Sequence, residues 1–168
     1  YVLSNSAITL LSGNANDVRS YLICDLGVDG KAYHGLRKYK GDPYHWVHNI
    51  PVVRLPELYL TLAEAYGELE LWGDALKYYN KVREPRTGES GFSSVTKEGR
   101  INNILDERRR ELMLEGHNFW DYFRRGRVVN REVRENIYSS SATIVFGDKP
   151  QVVYPIPLVE MEANADIR

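Results

Sequence analysis

One cysteine, Cys24, in 168 residues excludes an internal disulfide and a thiolate zinc set, and leaves a small apolar side chain suited to a buried position. No apolar run approaches the roughly 20 residues of a membrane span. No basic, apolar, small-residue leader opens the chain, which starts at Tyr1-Val2-Leu3. Neither sign of charge dominates: 22 basic against 23 acidic residues give a net charge of −1. No global field therefore draws in nucleic acid, although the stretch from Arg100 to Arg134 is locally arginine-rich. The Gly-x-Ser-x-Gly elbow of serine hydrolases is missing, as is a phosphate-binding Gly-x-x-x-x-Gly-Lys-Ser/Thr loop. Histidine is scarce, and His45-x-x-His48 is the sole close pair. Without a third ligand at a characteristic spacing it reads as a surface pair, so no metal and no cofactor are expected.

A chain of this length buries roughly 70% of its unfolded surface. We read residues 1–168 as a single domain: 1–50 mostly irregular, 51–127 a helical core, and 128–168 irregular or β with a short C-terminal helix. From about Pro56, Leu55, Tyr59, Leu62, Tyr66 and Leu69 recur at three and four. Leu71 to Ala75 then turns the chain into a second helix carrying Ala75, Tyr78, Tyr79 and Val82 toward the first, with Ala63 and Ala75 allowing close approach. The pair forms a tetratricopeptide-like hairpin without a second copy at ~34 residues. Pro85 is expected to end the second helix, and Arg86 to Thr96 to form a mobile surface loop. Lys97 to Glu115 reads as one helix stopped by Gly116, and Phe119 to Arg125 as a short amphipathic helix ending at Gly126. Thr143 to Phe146 with Val152 to Tyr154 reads as a small β pair, and Leu158 to Ala163 as a last short helix. The fold class is thus mainly α, with further helices, irregular loops and a small β element around the hairpin.

The helix over 97–115 carries ionic groups where apolar ones belong. Ile101, Leu105, Leu112 and Glu115 fall on one stripe, and Arg108 sits in its middle. Such a guanidinium must be paired, with Glu57, Glu64, Glu111 and Asp121 as candidate carboxylates. A solvated face with surface ion pairs is the plainer alternative. Glu107 and Glu111 lie one turn apart, a spacing compatible with a glycosidase pair, but interleaved arginines would hold both ionised rather than raise one pKa for general acid work. No catalytic residues are assigned. Among twelve tyrosines and three tryptophans, those at helical spacing read as core. Tyr44 and Trp46, outside any periodicity, suit a platform for the apolar C–H faces of a sugar, with Asn49 near enough to offer hydrogen bonds.

Four blocks carry a resemblance. Glu107-Arg108-Arg109-Arg110-Glu111-Leu112, followed by Glu115-Gly116-His117-Asn118-Phe119-Trp120-Asp121, resembles the C-terminal signature of the SusD/RagB family. Arg54-Leu55-Pro56-Glu57 with Ala63-Glu64-Ala65, Asn80-Lys81-Val82-Arg83, and Pro155-Ile156-Pro157 with Glu160 and Asn164 match further family segments in the same order. Asn118 stands where the family often has a basic residue, and Pro56 enters the helix start. The resemblance implies a non-catalytic, surface-exposed outer-membrane lipoprotein that binds glycans or other nutrients. It further implies a TonB-dependent SusC-type transporter as partner, and a lipid anchor outside this chain, which would be a C-terminal portion. It also implies that Arg54, Glu57, Glu64, Glu107, Arg108, Arg110, Glu111, Glu115, Gly116, Trp120 and Asp121 are architectural. A helical-repeat adaptor for a protein partner is the alternative that the hairpin alone would support.

Overall fold

A computed structural model describes residues 3–28, 31–38, 51–131 and 142–145. The chain divides into two compact units, Tyr1–His117 and Asn118–Arg168. In the first, α1 (Asn5–Ser12) starts at Ser4, whose hydroxyl accepts from the Ala7 amide at 3.2 Å. A 3-10 turn over Val18–Leu22 is capped by Asp17, and the chain passes directly into β1 (Ile23–Val28). β1 pairs antiparallel with β2 (Lys31–Leu36), Ile23 opposite Leu36 and Leu26 opposite Tyr33. For the described residues of 1–50, which end at Lys38, the expectation of a mostly irregular segment is corrected here. Capping at Ser4 and Asp17 and the six-residue ladder satisfy main-chain groups that a loop would leave to water.

The expected hairpin is α2 (Leu55–Glu68) with α3 (Trp72–Thr87). Pro56 lies in the first turn of α2, where its missing N–H removes no helical bond. The inward stripe of α2 is Leu60, Ala63, Glu64 and Gly67, one residue out of step with the leucines of the sequence pattern. Leu55, Leu62 and Leu69 of that pattern are exposed. Gly67 is a close-approach position: a Cβ there would lie 2.9 Å from Ile101 Cδ1 and 3.3 Å from Trp72 Cζ3. α3 runs through Pro85 to Thr87 and ends at left-handed Gly88, φ 71°. Proline so near the C-terminus forfeits a single helical bond, too little to stop the helix.

α4 (Lys97–Glu111) is capped by Thr96, whose hydroxyl accepts from Gly99 N–H at 3.1 Å. It ends four residues earlier than expected, and the turn that follows places Leu114 and Gly116 at positive φ. The 88–96 loop is pinned. Asn80 accepts from Gly91 N–H at 3.0 Å, Asn103 from Ser93 N–H at 2.8 Å, and the Phe92 ring lies 4.8 Å from that of Tyr79. One core cluster joins Leu60, Ala63, Tyr79, Val82, Ile101, Ile104 and Leu105, and a second joins Leu3, Ala7, Leu11 and Met113. α5 (His117–Arg124) follows, starting earlier than expected, and then β3 (Val128–Arg131) pairs antiparallel with β4 (Ala142–Val145). Residues 152–154 and 158–163, expected as strand and helix, lie outside the described residues.

Candidate functional site

α4 turns two carboxylates into the protein interior. Glu107 is fully buried and Glu111 is 3% exposed. Around them the fold assembles basic residues from segments far apart in sequence. Arg19, on the 3-10 turn, is clamped by Asp17 through Nε and Nη2 at 2.8 and 2.7 Å. It reaches Glu107 Oε1 at 2.7 Å and Glu111 Oε2 at 3.2 Å. That Glu107 oxygen takes the charge contact without an aligned hydrogen bond. Arg83 of α3 and Arg110 of α4 each meet Glu107 Oε2 at 3.2 Å. Arg86 donates to both oxygens of Glu111 at 3.0 Å, and Arg54, at the entry of α2, bridges Glu111 and Glu115. Lys38 donates to Glu115 and to the Glu111 and Met113 carbonyls.

Six cations thus face the four carboxylates of Asp17, Glu107, Glu111 and Glu115. The imbalance sets the titration. Burial alone would push the Glu111 carboxyl up, but bonds from Arg86 and Arg54 outweigh it and hold the group at about 2. Asp17 is likewise lowered: burial opposes this, and the bonds from Arg19 prevail. Burial works against the charges of Arg19 and Arg54, yet their carboxylate partners raise both pKa values. For Lys38 burial wins, and its pKa is lowered despite Glu115. A carboxyl held near 2 cannot deliver a proton at neutral pH.

The residues expected to be architectural separate into groups. Arg54, Glu107, Arg110, Glu111 and Glu115 meet in the ionic cluster. Arg108 is 6% exposed, as its place on the apolar stripe demands, and Nη1 donates to Thr61 Oγ1 at 3.0 Å and to the Glu57 carbonyl at 3.4 Å. Glu57 also faces His117 Nδ1 at 3.7 Å, and Glu64 is buried in α2. Gly116 takes the left-handed conformation, φ 84°. In the second unit, Trp120 stands edge-on to Phe119 at 5.2 Å, and Asp121 receives Arg124 at 2.6 Å. Tyr44, Trp46 and Asn49 lie outside the described residues. Sequence reasoning missed Asp17, Arg19, Lys38 and Arg86. The i,i+3 spacing of Arg83 and Arg86 on one face of α3 was the available signal.

Beside the cluster lies a cavity of about 270 Å³, walled by Leu11, Val18, Leu22 and Leu36 together with basic groups of the cluster. Those groups already donate to carboxylates or to carbonyls such as Leu10 O, which accepts from Arg110 at 3.0 Å. The cluster is therefore a cross-link between the N-terminal segment, α2, α3 and α4. Among the described residues no group of three or more His, Cys, Asp or Glu is placed to hold a metal ion.

Comparison with known proteins places this geometry in a family setting. Residues 30–168 match the SusD family. A SusD-like protein of Formosa agariphila is 32% identical over 119 residues, which is 67% of this chain and 22% of that protein. A SusD superfamily protein of Bacteroides thetaiotaomicron superposes with a TM-score of 0.76 at 28% identity, covering 98% of this chain and 39% of the other. A SusD-like carbohydrate binding protein of Bacteroides vulgatus gives 0.74 at 20% identity, a likeness of fold, over 99% and 41%. The chain spans about a fifth of the curated relative and about two fifths of these two solved chains.

Proposed function

Because the chain belongs to the SusD family, we propose that it is the C-terminal part of a non-catalytic, glycan-binding or other nutrient-binding lipoprotein of the outer-membrane surface. The protein would work with a TonB-dependent SusC-type transporter and hold to the membrane through a lipid anchor outside residues 1–168. The observation that carries the reading is the family match, which takes in every member of the ionic cluster except Asp17 and Arg19. It is supported by a fold relative described as a SusD-like carbohydrate binding protein. The arginine partners that occupy Glu107 and Glu111 support a role without chemistry. Among the described residues no helix is long and apolar enough to cross a membrane. We assign the single-domain scaffold to this portion and the sugar platform to Tyr44 and Trp46, with Asn49 as hydrogen-bond partner.

Calorimetry against a panel of oligosaccharides tests the reading. A single platform gives affinity near 1 mM, about −4 kcal/mol, or less for this portion alone, because stacking and solvent-competed hydrogen bonds leave little after ordering costs. The signal should vanish in Trp46→Ala. Micromolar binding that survives Trp46→Ala and Tyr44→Ala would place the site elsewhere. Reducing ends released by the purified protein would overturn the non-catalytic assignment, and failure of the complete protein to co-purify with a transporter would remove the proposed partner.

A further inference from the structure

The ionic cluster is one carboxylate short. Arg19, Lys38, Arg54, Arg83, Arg86 and Arg110 face Asp17, Glu107, Glu111 and Glu115, and Arg83 also reaches the half-exposed Glu89 at 2.6 Å. Six positive charges therefore meet five negative ones. All of these cations except Arg83 line the cavity of about 270 Å³, and Glu111 is the one acidic residue in its wall. An unmatched cation in a partly dry site favours an anion beside it. Unused donors lie at the same place. Arg86 gives Nε and Nη2 to Glu111, and Arg110 gives Nε to the Leu10 carbonyl and Nη1 to Glu107. A guanidinium carries five N–H groups, and no described residue accepts from Arg86 Nη1 or Arg110 Nη2. The rest of the wall is Leu11, Val18, Leu22 and Leu36, running from Leu11 at 1% exposure to Val18 at 49%.

We propose that this cavity binds a small aliphatic monocarboxylate, its charged end on the unused N–H groups of Arg86 and Arg110 and its tail against the four apolar side chains. One negative charge matches one unmatched cation. Inorganic phosphate would bring nearly two charges and nothing for the apolar wall, whereas a carboxylate fits a guanidinium edge with paired N–H···O bonds. The volume falls just under the roughly 300–1,000 Å³ of drug-sized sites, so the tail is short, of hexanoate length. The inference goes beyond the proposed function: it involves neither Tyr44 nor Trp46 and does not rest on what the protein takes up.

Calorimetry on the complete gene product at fixed ionic strength is the test, with butanoate, hexanoate, hexanol and hexylammonium as probes. Hexanoate should bind with a Kd of about 1 mM or below, within reach of so small a ligand. Butanoate should bind about 15-fold more weakly, at roughly fourfold for each CH2 laid on the apolar wall. Hexanol and hexylammonium, which carry the tail without the negative charge, should be weaker by about tenfold or more. Val18→Glu sets a competing carboxylate at the cavity without touching the cluster, and should weaken hexanoate about tenfold or more, whereas the uncharged Val18→Gln should retain most of the binding. Arg86→Gln should weaken it similarly, with the urea midpoint reporting whether that variant folds; half-exposed Val18 keeps the test decisive if it does not. No heat with hexanoate overturns the proposal. So does equal affinity for butanoate and hexanoate, which would mean a carboxylate on surface arginines alone, or hexanol binding as tightly as hexanoate, which would mean an apolar hole without anion recognition. Indifference to Val18→Glu would place the ligand elsewhere. Oligosaccharide binding is measured separately, and its absence would count against the functional reading without touching the hexanoate result.

Discussion

At the scale of the residue, Glu111 carries the most consequence. Its two oxygens serve Arg19, Arg54 and Arg86, and it is 3% exposed. Glu111→Gln removes the charge while keeping the shape, leaving three guanidinium groups short of one carboxylate. Breaking a buried pair in this way costs about 3–5 kcal/mol. The comparison is Glu70→Gln, whose partner Lys97 is 3.0 Å away across an exposed pair worth about 0–1 kcal/mol. Urea midpoints of the two variants measure the contrast, and equal midpoints would show that the cluster adds nothing. Arg108 was readable from the sequence as buried because it interrupts an apolar stripe. Its Thr61 partner was not, since a hydroxyl on another helix leaves no trace in the spacing of α4. Asp17 and Arg19 were equally invisible, lying in a segment whose polar residues look like loop composition until Glu107 and Glu111 are placed opposite them.

At the scale of the element, α2 was readable as a helix but not as to which side faces inward. Its outer leucines are more hydrophobic than the inner Ala63 and Gly67, so the apolar pattern pointed to the wrong face. Close approach, rather than hydrophobicity, decides the inner one. Gly67→Ala should therefore fall short of the gain of about 1 kcal/mol that alanine's helix preference offers, because the added methyl meets Ile101 Cδ1 at 2.9 Å and Trp72 Cζ3 at 3.3 Å and the isoleucine end must shift. Adding Ile101→Val removes that atom and should recover part of the shortfall in a double-mutant cycle, whereas strict additivity would refute the steric account. The β1–β2 ladder does leave a signal in the sequence. Asp29-Gly30 between two runs of six is the connection a tight hairpin favours. The extension of α3 past Pro85 was hidden for the opposite reason, since Gly88 and not the proline supplies the stop.

At the scale of the whole molecule, the cluster makes stability depend on acid. Glu111 has a folded value near 2 against an ordinary 4.5. Its contribution, about 3 kcal/mol, is complete above pH ~4.5 and is lost as pH falls toward 2. Asp17, also lowered, adds in the same direction. Urea unfolding followed from pH 6 to pH 2 should show a fall that is much shallower in Glu111→Gln, and parallel curves would mean that other carboxylates govern acid unfolding. The long reach of the Arg19 to Glu111 bond, 92 residues in sequence, has a further consequence for biosynthesis. At ribosomal rates of about 5–20 residues per second, Arg19, with Asp17 already beside it, leaves the exit tunnel roughly 5–20 s before its distant partner Glu111. Through that interval the N-terminal segment has no native counter-charge on α4 to dock against. Within this portion, the segment that is made earlier is therefore fixed in place later than the helices that follow it.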